Sequence, residues 1–123
     1  MNELLNVGIS EHNHEKLRRL KDNGPFLEMQ DAYRFGIALA LARGAEPREL
    51  IKRQNLYATT GVDPDGSLAA AIKILLPTSD IPVSRLFEQL ADWGVPELYR
   101  LEFEEGGLNF TDLLNQGEVL DHE

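Results

Sequence analysis

Lys16, Arg18, Arg19 and Lys21 put four cations into one short stretch, and Arg34, Arg48, Lys52 and Arg53 follow. Cations at that density suit the neutralisation of phosphates, each contact adding salt-dependent affinity for a nucleic-acid backbone. The competing explanation is a solvated helix face, because Glu15 and Asp22 interleave with the bases. Other chemistry is sparse. His12 and His14 suggest a metal, but an H-x-H spacing on a helix points the two rings to different faces. The chain has no cysteine, and its one further histidine is His122. No metal site is expected. Asp63-Pro64-Asp65-Gly66-Ser67 imitates a calcium loop, yet its glycine falls early and Ile74 stands where the bidentate Glu belongs. A helix cap explains it better. Glu102, Glu104 and Glu105 form an acidic knot with no basic or nucleophilic partner beside it in sequence. There is no phosphate-cradling glycine loop, dinucleotide fingerprint or nucleophile elbow. No catalytic residue, no cofactor and no enzyme activity are expected.

The charge is lopsided. Residues 1–79 carry ten acids and ten bases; residues 80–123 carry eleven acids against Arg85 and Arg100. The formal charge of −9 therefore belongs to the last third. This predicts two jobs, a locally basic part that meets an anion and an acidic part that meets something basic. At 123 residues and 42% hydrophobic content the chain can build a core. No apolar run approaches the roughly 20 residues that span a bilayer. The first residues lack the pattern of a secretory signal. A soluble cytoplasmic protein of bacterial type, with no membrane partner, is the expectation.

The elements that would position these groups are punctuated helices. Leu5, Val7 and Ile9 alternate with Asn6, Gly8 and Ser10, which predicts one short strand. No second strand is evident, so the backbone groups of this one are expected to pair with another copy. Ser10 is placed to cap a helix over 11–22 with Leu17 and Leu20 on its buried face. Asn23-Gly24-Pro25 stops it. A second helix over 28–43 has an unusually wide apolar face, from Met29 and Tyr33 to Ile37 and Leu41. That width predicts burial in a dimer core. Pro47 opens a short helix over 47–54, and 55–61 reads as a connection. Asp63 caps a helix that Pro77 ends. Pro82 opens a helix over 82–93 closed by Gly94, in which Phe87, Leu90 and Trp93 are core. Pro96 opens another with Leu98, Leu101 and Phe103. Leu108 to Leu114 form a last turn or two, and 116–123 is a polar tail expected to be disordered.

The order strand, helix, glycine turn, longer apolar helix over residues 5–44 resembles the ribbon-helix-helix family of DNA-binding proteins. That resemblance implies an antiparallel ribbon made by two subunits. Its outward residues, here Asn6, Gly8 and Ser10, would enter the major groove, and a phosphate would meet the backbone N–H groups near Glu28 to Gln30. A second resemblance is carried by Leu17-Arg18-Arg19-Leu20-Lys21 and by Asp31-Ala32-Tyr33-Arg34-Phe35-Gly36-Ile37-Ala38-Leu39-Ala40-Leu41. These segments look like DndE-type proteins of bacterial DNA sulfur-modification systems, a family of compact helical oligomers associated with DNA. It implies Lys16, Arg18, Arg19, Lys21 and Arg34 as a backbone-contact surface.

The reading is a mainly α fold: a ribbon-helix-helix-like oligomer core over 1–54, a connection over 55–61 and short acidic helices over 62–115. The expected function is that of a small non-enzymatic DNA-associated protein, a regulator or accessory subunit of a DNA-modification or defence system. Its partners would be itself, as a homodimer or tetramer, and double-stranded DNA. Its nucleic-acid-binding residues would be Lys16, Arg18, Arg19, Lys21, Arg34, Asn6 and Ser10. The alternative is an adaptor or antitoxin-like protein that binds a protein partner through residues 80–115.

Overall fold

A computed structural model describes residues 6–76 and 80–107. The expected start of the first strand at Leu5, the helix stop at Pro77, the last turns over 108–114 and the tail over 116–123 lie outside the described residues. The elements run β1 (Asn6–Ser10), α1 (Glu11–Asp22), α2 (Met29–Ala42), β2 (Arg53–Ala58), α3 (Thr59–Val62), α4 (Ser67–Leu75) and α5 (Val83–Phe103). The fold is mainly helical with a two-stranded antiparallel sheet. No helix among the described residues is long and apolar enough to cross a membrane.

The expectation that β1 pairs with another copy is corrected. Its partner is β2 of the same chain, with Val7 opposite Tyr57 and Ile9 opposite Gln54. The expected helix over 47–54 does not form, and the first part of the supposed connection 55–61 is strand. Arg53-Gln54-Asn55-Leu56-Tyr57-Ala58 gives no clear alternation in sequence. The unpaired groups of β1 impose the strand from outside. The entry into β2 is fixed by Lys52 at φ 52°, by the Glu11 N–H on the Lys52 carbonyl at 3.0 Å and by the Ile51 N–H on Ser10 Oγ at 3.0 Å. A bulge falls between Val7 and Gly8, and a Cβ on Gly8 would run into the Gln54 backbone.

The other edge of β1 is closed by side chains. Gly8 N–H donates to Glu88 Oε2 at 2.9 Å, and Ser10 N–H to Asp92 Oδ1 at 3.0 Å. The Tyr33 hydroxyl donates to the Gly8 carbonyl at 2.6 Å. One strand therefore lies between β2 and a row of side chains from α5 and α2, with Val7, Gly8, Ile9 and Ser10 all buried.

The wide apolar face of α2 is likewise covered within the chain. Ala32, Tyr33, Ile37 and Ala40 share a core with Leu86, Phe87, Leu90, Ala91, Val95 and Leu98 of α5. The dimer core expected there is replaced by α5, whose length the sequence concealed. The helices expected over 82–93 and from Pro96 are one element that runs straight through Gly94 and Pro96. Gly94 does not stop the helix, because it is the point of closest approach to α2. A Cβ there would overlap the Gly36 carbonyl. Trp93, one residue away and rotated off that face, is 37% exposed rather than core.

Candidate nucleic-acid interface

α1 forms with the bounds expected, burying Leu17 and Leu20. Ser10 is its N-cap by position, but its hydroxyl makes no cap bond. It donates to Asp92 Oδ2 at 2.8 Å instead. Ser10 is fully buried, so it does not present itself on a reading surface. Gly8 is buried too, and of the three ribbon positions only Asn6 is exposed. The basic residues of α1 then divide by face. Lys16 and Arg19 lie against α5, with Lys16 Nζ 5.8 Å from the centre of the Tyr99 ring. The Arg19 guanidinium stands 5.5 Å from Tyr99 and 5.3 Å from Phe103. Such contacts hold a cation over a ring face and leave its outer side open to an anion. Arg34 points elsewhere, its guanidinium on Asp31 at 2.7 Å and on the Val62 carbonyl at 3.5 Å.

Arg18 and Lys21 are brought together. They line an open hollow of about 470 Å³ with Asp22, Glu28, Met29, Gln30 and Tyr57. The hollow lies between the end of α1, the start of α2 and β2. Glu28 is the N-cap of α2 and its side chain makes no cap bond. The Asp31 N–H is taken by the Glu28 carbonyl at 3.1 Å, so the helix start brings the positive end of its dipole, with Asp31 in its first turn, beside two cations. Tyr57 adds a hydroxyl that is buried and has no hydrogen-bond partner among the described residues. Burial first, then the charges of Glu28 and Asp31, push its phenol up to about 12. At neutral pH it stays a donor. Arg18 is engaged by Glu15 at 2.7 Å and Lys21 by Asp22 at 3.9 Å, both pairs well exposed. Exposed pairs of this kind are weak and exchange readily for another anion. Tyr57 and Gln30 carried no signal in the sequence, because the strand that brings Tyr57 here was itself unmarked.

No protein-family model, no curated protein and no solved structure matches this chain. Its chemistry rests on its own geometry.

Among the described residues, the acids Glu88, Asp92 and Glu97 of the last third are engaged by other groups of the fold. Glu88 is fully buried and holds Arg53, with Nε at 2.6 Å and Nη2 at 2.5 Å from Oε2. That hydrogen bond raises the Arg53 pKa further. Glu97 takes Arg43 at 3.2 Å and Arg100 at 2.5 Å. Burial, and then the Glu88 charge, push the Tyr33 phenol well above its usual value. Glu88, Asp92 and Glu97 thus tie α5 to β1, to β2 and to Arg43 beyond α2. His14 Nδ1 meets Gln54 Oε1 at 2.8 Å, which ties α1 to β2. No group of residues fit to hold a metal ion occurs among the described residues.

Proposed function

We propose that this chain is a small non-enzymatic DNA-associated protein, a regulator or accessory subunit, that holds a duplex by its phosphates. The observation that supports this is the convergence of Arg18, Lys21 and the start of α2 on one hollow. It coincides with the phosphate position that the ribbon-helix-helix resemblance implies. Lys16 and Arg19 lie on another face of the helix, over Tyr99 and Phe103, and are not part of this contact. Base reading through a ribbon is not part of the proposal, because Gly8 and Ser10 are covered. Asp22 and Glu28 share the hollow, so affinity depends on salt and stays modest for a single copy. A homodimer or tetramer that repeats the hollow would multiply it.

The test is a titration of duplex DNA with the full chain at about 50 and 200 mM salt. Binding should weaken with salt, and Arg18→Ala with Lys21→Ala should lower the slope against log salt by about 0.9 for each phosphate lost. Binding that ignores both salt and these substitutions removes the proposal. A second reading, the adaptor, is favoured by apolar side chains at the surface. Ile74 is 76% exposed, Leu75 56% and Ile81 40%. For that reading, duplex binding is absent at low salt.

A further inference from the structure

On the far side of the sheet a smaller hollow, of about 200 Å³, is lined by Glu49, Leu50, Arg53, Arg85, Glu88 and Gln89. We propose that it binds a small zwitterion carrying an ammonium and a carboxylate, of the size of an α-amino acid with a short side chain. The inference does not depend on the DNA reading.

Two oxygens point to it. Glu88 is fully buried and Gln89 is 5% exposed. Glu88 Oε1 and Gln89 Oε1 are both shut off from solvent without a hydrogen-bond partner among the described residues. The other Glu88 oxygen is saturated, by the Gly8 N–H and by Arg53. Buried acceptors left open are rare in folded proteins, and two on neighbouring residues of one wall call for a donor. An ammonium has three N–H donors and no acceptor, which matches two orphaned oxygens.

The cation of the pair is Arg85. Its side chain is 44% exposed, and among the described residues its guanidinium makes one ion pair, Nε to Glu88 Oε1 at 3.6 Å. That separation is too long for a good hydrogen bond. Turning the exposed guanidinium outward opens Glu88 Oε1 to an ammonium. The same motion presents a fork of N–H groups to a carboxylate. The lining has two carboxylates and two guanidiniums, so it is neutral overall. A lone cation would face both guanidiniums. A lone anion would face Glu49 and Glu88 and leave the orphaned oxygens unfilled. A neutral ligand with both charges meets each group with its complement. The volume suits a small ligand, since drug-sized pockets start near about 300 Å³.

The experiment is NMR titration of the full ¹⁵N-labelled chain with glycine, L-alanine and L-serine, and separately with methylammonium and acetate, each to about 10 mM, above the millimolar range expected of so small a ligand. At least one amino acid should give saturable shifts at the Gln89 side-chain amide and the Gly8 N–H. It should bind about tenfold tighter than methylammonium or acetate. Arg85→Ala and Gln89→Met should each weaken that binding about tenfold or more, as loss of a hydrogen bond to a charged group does. Gln89→Met also removes an orphaned oxygen at similar volume, so its melting temperature should hold or rise. That separates lost binding from lost folding. Absence of any saturable shift, methylammonium binding as tightly as the amino acids, or unchanged affinity in folded Gln89→Met would each overturn the proposal.

Discussion

Asn13 supplies the hydrogen bond that Pro96 takes away. A proline inside a helix has no N–H for the carbonyl four residues earlier. In α5 that carbonyl belongs to Asp92, and Asn13 Nδ2 of α1 donates to it at 3.1 Å. The same nitrogen lies 2.9 Å from Asp92 Oδ1. The helix can pass through Pro96 because a neighbouring helix fills the gap. Asn13→Ala should therefore cost about 1–3 kcal/mol, the usual range for leaving a buried polar group unmet. In a Pro96→Ala background the helix makes its own bond, and the cost of Asn13→Ala should shrink. Urea denaturation of the four proteins closes this cycle. Equal costs in both backgrounds would show that Asn13 acts through the Asp92 carboxylate alone.

Gly36 and Gly94 set the distance between α2 and α5. A Cβ at Gly94 would overlap the Gly36 carbonyl, which belongs to backbone and cannot turn aside. Gly94→Ala should force the helices apart and cost about 2–3 kcal/mol or more, at the upper end for overpacking. A glycine within a helix otherwise gains stability on becoming alanine. A fall in the urea midpoint is the expected sign, and a rise would mean that the helices part at no cost.

These contacts explain what the sequence could and could not reveal. α1 and α2 were legible because each carries a strong apolar stripe between clear stops, such as Gly44 at φ 66° beyond α2. Asp63 serves the helix as expected in kind but not in place: its two oxygens accept the N–H groups of Leu68 and Ala69, while the N-cap residue is Gly66. The true helix start is delayed to Ser67 by a turn through Gly66. β2 was hidden because its residues lack alternation and its pairing is decided by β1, far away in the chain. α5 reads as two helices in the sequence because Gly94 and Pro96 are stop signals locally. Their acceptance depends on Gly36 and Asn13, which no local pattern announces. The basic stretch was visible, but its division among three surroundings was not. Helical spacing does not say that Tyr99 and Phe103 lie under Lys16 and Arg19.

Glu97 should give the fold a measurable acid limb. The hydrogen bond from Arg100 is the main force holding its carboxyl below the ordinary value, with Arg43 adding to it and partial burial opposing. A carboxylate depressed in the folded state stabilises at pH values above its unfolded value, about 4.3. That contribution is lost as pH falls through the lower, folded value. Glu97→Gln should destabilise by about 1 kcal/mol at neutral pH, as expected of partly exposed pairs. The difference from the parent chain should close as the pH drops below 4.3 or so. Urea midpoints across that range check it. A gap that stays constant with pH would mean that Glu97 acts by packing rather than by charge.

Ser10 separates a ribbon reader from a structural post. Its hydroxyl donates to Asp92 Oδ2 and accepts the Ile51 N–H, so it joins β1 to α5 and to the loop that leads into β2. Ser10→Ala leaves the Ile51 N–H without its acceptor and Asp92 with one donor fewer. The expected loss is about 1–3 kcal/mol of stability. Because the side chain is fully buried, duplex affinity measured on the still-folded variant should match that of the parent chain. Arg18→Ala should do the reverse, lowering affinity with little change in urea midpoint, since its ion pair with Glu15 is exposed. A Ser10→Ala protein of normal stability and weakened DNA binding would restore the ribbon and require that β1 leave α5 when DNA arrives.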